Sequence, residues 1–144
     1  MIAGSNFMHT KIQYKSGYKY QLYHDYILLT DIKGHYAVVP RFIELYHDGA
    51  LVVHSGYAWD GPSGPTIDTK SFMRGSLVHD ALYQLMRERL IPQTCRKQAD
   101  IELHKICLED GMNKFRAWYV YHAVRLFAAS AASGDKQKEI ITAP

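Results

Sequence analysis

Cysteine is scarce in this chain, long hydrophobic runs are missing, and no block of like charge stands out. The two cysteines, Cys95 and Cys107, fall in one predicted helix, where twelve residues at about 1.5 Å each set them roughly 18 Å apart, beyond disulfide reach. Free thiols are therefore expected, as in a reducing compartment. The 17 basic and 14 acidic residues are mixed along the chain, and a net charge of +3 with no basic block gives no support to nucleic-acid binding. A targeting signal is missing too: "MIAGSNFMHTKIQYK" turns polar before any apolar run, so a protein in the cytosol, or assembled from it, is expected. No uncharged stretch is long enough to cross a bilayer, so no transmembrane segment is expected.

What is abundant is tyrosine, at 11 residues, many of them between Tyr14 and Tyr57. That distribution suits strands with aromatic cross-strand pairs; a base-stacking platform would need interleaved basic residues that are not there. At 144 residues and 47% hydrophobic content, one domain with its own core is expected over 1–144. Apolar and polar positions alternate through the β-rich part, 1–57, placing strands near 11–15, 18–23, 26–30, 35–39, 42–47 and 50–54. Asp48-Gly49 between two such runs is a hairpin signal, and Pro40 marks an edge or a break.

The stretch "GYAWDGPSGPTIDTK" holds three glycines and two prolines, so 58–70 reads as a shaped loop. Helical periodicity follows, over about 71–89, 93–110 with Gly111 as C-cap, and 113–133, before a polar, frayed tail at 134–144. The third helix is apolar on nearly every face, yet Arg125 and His122 sit in its middle. It reads as a buried or partner-facing helix, with Trp118 and Tyr119 as candidate contacts to a protein or a membrane surface. The expected fold is α+β: an N-terminal antiparallel sheet of about five strands packed with a three-helix C-terminal part.

In "SLVHDALY" the only polar residues are Ser76, His79 and Asp80, so the helix must be covered on most sides. A buried carboxylate needs a cation, a metal or several N–H donors, and a buried histidine needs a partner that sets its tautomer. Asp100, His104 and Cys107 follow i, i+4, i+7 spacing on the next helix. The short connection "LIPQT" makes the two helices antiparallel neighbours, with the level of His79 mirrored near His104 and Asp100 one turn away. A carboxylate on one imidazole nitrogen, with the other activating water, is general-base geometry; a histidine that merely orders the core is the alternative. Asp100 and His104 also have the spacing of two metal ligands on one helix face. Cys107 reads as a small apolar filler.

Asp60-Gly61-Pro62-Ser63-Gly64-Pro65, His79-Asp80-Ala81-Leu82-Tyr83 and Ala99-Asp100 together resemble a family of small, mostly phage- and prophage-encoded proteins of unknown function. The likeness spans about residues 38–127 and implies a phage setting, in the host cytoplasm or the virion, with a host or virion protein as candidate partner. The same residues are similar, more weakly, to the secreted phospholipases A2, with their glycine-rich calcium loop, His-Asp-x-Cys-Tyr helix and later catalytic aspartate. That resemblance implies His79 as general base, Asp100 as the group orienting it, Asp80 as calcium ligand and Tyr83 as the supporting tyrosine; Arg74 also falls where those enzymes carry arginine. Gly75, Ser76 and Leu82 stand where those enzymes have cysteine, and the loop has extra proline and different glycine spacing.

The expectation is a hydrolase-like protein acting on an ester or similar bond, with Ca²⁺ held by Asp80 and backbone carbonyls of 58–65 and with Asp60 as the alternative metal ligand; Zn²⁺ is less favoured and no organic cofactor is expected. Trp59, Ser63, His104 and Tyr83 are the supporting residues. The alternative for the loop is a structural turn, with Trp59 packed as a lid on the helices and Asp60 capping a backbone. The rival expectations are a non-enzymatic virion component or inhibitor of a host factor, and a metal-dependent phosphohydrolase.

Overall fold

A computed structural model describes residues 11–15, 20–61 and 70–133. Seven short strands lie among them: β1 Tyr14–Lys15, β2 Tyr20–Leu22, β3 Tyr26–Leu29, β4 Ala37–Val39, β5 Ile43–Leu45, β6 Ala50–Val53 and β7 Ala58–Trp59. The helices are α1 Lys70–Arg87, α2 Arg96–Glu109, α3 Lys114–Phe127 and α4 Ala129–Ser133, with a 3₁₀ turn Gln93–Cys95 before α2. The fold is α+β.

The strands form two antiparallel sheets where one was expected, β1-β2-β7 and β3-β6-β5-β4. β7 lies inside the segment read as loop; Tyr57, Ala58 and Trp59 alternate buried, exposed, buried, and Tyr20 pairs with Trp59. The Asp48-Gly49 hairpin forms as expected: Asp48 Oδ1 accepts from Ala50 N at 3.0 Å, Gly49 has φ of 92°, and Leu45 pairs with Leu51. A Cβ at Gly49 would overlap the Thr30 carbonyl, so the tight packing also selects glycine there. Pro40 ends β4. Phe42 N donates to Val39 O at 3.0 Å across it, and Arg41 takes φ of 75° at the turn position that glycine usually holds.

α1 is the centre of the molecule. Leu77, Leu82, Leu85 and Met86 share one core with Leu22, Tyr26, Ile43, Leu45 and Leu51 from the strands. Thirteen of its 18 residues are buried, because strands, α2 and α4 cover different faces. Gly75 sets the distance between α1 and α2: a Cβ there would come within 2.9 Å of Leu103 Cδ1 and 3.1 Å of Cys107 Sγ. Cys107 and Cys95 are both buried free thiols, and burial pushes Cys107 up to about 12.

α1 stops at Arg87, where Arg89 takes φ of 62° and Leu90 N returns to Leu85 O at 2.9 Å. The third expected helix is split at Ala128. α4 turns to pack on α1, burying Ala132, while Arg87 Nη1 and Gln93 Nε2 donate to the Ala131 and Ala132 carbonyls. The tail at 134–144 lies outside the described residues.

Candidate functional site

Two stripes of α1 carry the polar residues. Ser76, Asp80 and Gln84, four apart, face the segment 57–61: Trp59 Nε1 donates to Ser76 Oγ at 3.0 Å and Tyr57 OH to Gln84 Oε1 at 3.2 Å. His79 and Tyr83 face α2. The adjacent residues His79 and Asp80 thus serve different surroundings, as the helical period requires.

On the α2 side, His79 Nε2 lies 2.7 Å from Asp100 Oδ1. Tyr83 OH donates to the same oxygen at 2.6 Å, and its ring lies 4.0 Å from the imidazole, centroid to centroid. Arg125 Nη1 of α3 donates to Oδ2 at 2.8 Å, and Arg96 Nη1, one turn before Asp100, stands 3.7 Å from Oδ2. Asp100 is 0% exposed. Burial pushes its carboxyl up, but the bonds from His79, Tyr83 and Arg125 outweigh burial and hold it below its ordinary 3.8. An ionised carboxylate only accepts, so Nε2 is the nitrogen that donates to Asp100.

Among the described residues nothing bonds to Nδ1, and no side-chain nitrogen or oxygen there is both sealed from solvent and unpaired. The ring as a whole is buried, 7% exposed.

On the other stripe, Asp80 is partly buried and makes no hydrogen bond among the described residues. Burial pushes its carboxyl up to about 6, with His79 and Arg87 opposing and the charge of Asp60 adding to the rise. Asp60 itself is exposed at the end of β7. Burial raises the Tyr57 hydroxyl, and the charge of Asp80 raises it further, so Tyr57, Asp60 and Asp80 share one neighbourhood. Trp59 is buried over α1, where the sequence expects a lid. Ser63 lies outside the described residues.

His104 is not part of the site. It is partly buried, with its ring 5.7 Å from that of Tyr121 on α3, and it does not join Asp100 as a metal pair. The i, i+4 stripe is real, but Asp100 bonds to His79 of α1 and Arg125 of α3, while His104 lies against Tyr121 of α3. Among the described residues no three histidine, cysteine, aspartate or glutamate side chains converge as a metal cluster.

Two residues of the cluster were not read from the sequence as site residues, Arg125 and Arg96. The signal for Arg125 was its place in an otherwise apolar helix, where a buried guanidinium needs a carboxylate. Arg96 was signalled by its i, i+4 spacing to Asp100; its Nη atoms also lie 3.4 Å from the Arg125 carbonyl at the end of α3. No family model, curated protein or solved structure matches the chain.

Proposed function

We propose that this protein is a hydrolase of esters or similar acyl bonds, with His79 as general base and Asp100 as the residue that orients it. One observation carries this reading: Nε2 is held by a buried carboxylate at 2.7 Å while Nδ1 has no hydrogen-bond partner among the described residues. Nδ1 takes a proton from water, whose oxygen adds to the acyl carbon. As the tetrahedral intermediate collapses, the carbon–oxygen bond to the leaving group breaks and the alcohol takes the proton back from His79. Asp100 steadies the imidazolium, and Tyr83 and Arg125 keep the carboxylate from turning.

The donor chemistry beside this dyad suits a hard divalent cation. Asp80 has no hydrogen-bond partner among the described residues, and a second carboxylate, Asp60, acts on it. Asp80 and Asp60 would hold Ca²⁺, with backbone carbonyls and water completing about six to eight oxygens. Held there, Ca²⁺ would supply polarisation of an ester carbonyl and stabilisation of the developing oxyanion. The resemblance to phage-encoded proteins supports a setting in the host cytoplasm or the virion.

A second reading is supported by the number of groups on Asp100. Donors from α1 and α3 meet on one α2 carboxylate, which would also suit a non-enzymatic protein whose polar cluster joins its helices.

Replacing His79 by glutamine separates the two readings. The amide still reaches Asp100, so a cooperative melt is expected to persist while turnover of short-chain nitrophenyl esters and phospholipids falls about 10²–10⁴-fold. Unfolding of that variant, or unchanged turnover, supports the structural reading. For the metal, Ca²⁺ is expected to raise the melting temperature of the native chain and not that of Asp80→Asn; no rise with Ca²⁺ or Zn²⁺ and no fall with chelator discards the Asp80 assignment.

A further inference from the structure

One face of α3 enters the core through Ala117 and Val120, and the opposite face carries large apolar side chains into solvent. Phe115, Trp118, Tyr119 and Leu126 are 76%, 54%, 64% and 74% exposed. Their offsets of i, i+3, i+4 and i+11 place them on a single stripe. Trp118 lies 6.1 Å from Phe115 and 4.5 Å from His122, ring to ring, so the stripe is continuous along the helix. Exposed apolar surface of this extent on a small protein marks an interaction site.

Along α3 itself the charges have one sign. Residues 111–134 contain Lys114, Arg116 and Arg125 and neither aspartate nor glutamate. Arg125 is bonded to Asp100, which leaves Lys114 and Arg116 as the cations beside the aromatic rings. A symmetric contact between two copies would lay this acid-free surface on itself, with no anion of the stripe to meet either cation. Tryptophan, tyrosine and phenylalanine with flanking lysine and arginine are, in contrast, the composition that settles at the headgroup level of a bilayer with acidic lipids.

We propose that the exposed face of α3 docks the protein on an anionic lipid bilayer, lying in the interface plane with Phe115, Trp118, Tyr119 and Leu126 inserted and Lys114 and Arg116 on the headgroups. No helix among the described residues is long and apolar enough to cross a membrane, so the contact is peripheral. This surface stands apart from the hydrolase reading, since it acts whether or not His79 is a base.

The full chain is mixed with vesicles of phosphatidylglycerol and phosphatidylcholine in equal amounts, and with phosphatidylcholine alone. Co-sedimentation with the anionic vesicles is expected, with binding about tenfold or more weaker on phosphatidylcholine. Tryptophan emission should shift to the blue and be quenched by brominated lipid; Trp118 is the reporter, because Trp59 is already buried on Ser76. Phe115→Ser combined with Trp118→Ser should abolish sedimentation at an unchanged melting temperature, and Lys114→Gln with Arg116→Gln should erase the preference for anionic lipid. The proposal is overturned if the native chain stays in solution with anionic vesicles, or sediments equally with the stripe replaced. A dimer in light scattering that the Phe115/Trp118 variant dissociates also overturns it, assigning the face to a second copy.

Discussion

Two polar clusters join α1 to α2, and they differ in what they leave unused. Toward the start of α1, Arg74 is 4% exposed and every guanidinium nitrogen is engaged. Nε donates to Asp110 at 3.0 Å, Nη2 to Glu109 at 2.8 Å and Nη1 to Tyr26 OH at 3.0 Å. Five residues on, His79 engages one nitrogen with Asp100 and keeps the other free among the described residues. A saturated network holds elements together, whereas a network that ends in an unspent lone pair also retains chemistry. The same contrast separates Ser76 and Gln84, which are bonded to Trp59 and Tyr57, from Asp80 between them, which is not.

Breaking the acceptor of the second cluster should have the largest effect. Asp100→Ala leaves His79, Tyr83 and Arg125 without their shared partner and is expected to cost about 3–5 kcal/mol in urea unfolding. A loss below about 1 kcal/mol would mean that the carboxylate contributes position without stability. Arg74→Ala should cost somewhat less, about 2–4 kcal/mol, since Glu109 regains water, and it should leave turnover per folded molecule unchanged. A fall in turnover at constant fold would erase the distinction drawn between the two clusters.

Asp80→Asn should act in the opposite direction. It removes a partly buried charge that has no hydrogen-bond partner among the described residues, so without metal it is expected to stabilise the protein by about 1–2 kcal/mol at neutral pH. Destabilisation instead would reveal that Asp80 has a cationic partner in solution. The smallest effect is on acid stability. The folded Asp100 carboxyl lies below its ordinary 3.8, so its contribution is present above that pH and is lost as pH falls through the depressed value. Stability of the native chain should fall there by up to about 1.4 kcal/mol per pH unit more steeply than that of Asp100→Asn.

Helical period and a short connection brought either Asp100 or His104 within reach of His79, and the resemblance to the phospholipases A2 pointed to Asp100. His104 was set one turn wrong: the stripe was right, but Tyr121 on α3 draws that ring away from α1. Arg125 stood out as a charge in an apolar helix, but its partner was not legible, since nothing local in the chain says how α3 crosses α2. The Asp48-Gly49 hairpin was legible from two residues, whereas β7 was hidden in a run of glycine and proline whose pairing depends on β2. The break at Ala128 has no proline or glycine to announce it; α4 turns there because α1 offers a place for Ala132.

By itself the sequence determined the order of the first six strands and the three main helices, the stripes of α1 and the residues able to carry a charge into the core, because these follow from local period and residue type. Only the tertiary structure decided that Asp100 faces α1 and α3, that the sheet divides in two, and which face of α3 is left bare. Those outcomes depend on crossing angles and on contacts between residues far apart in the chain, which no local pattern encodes.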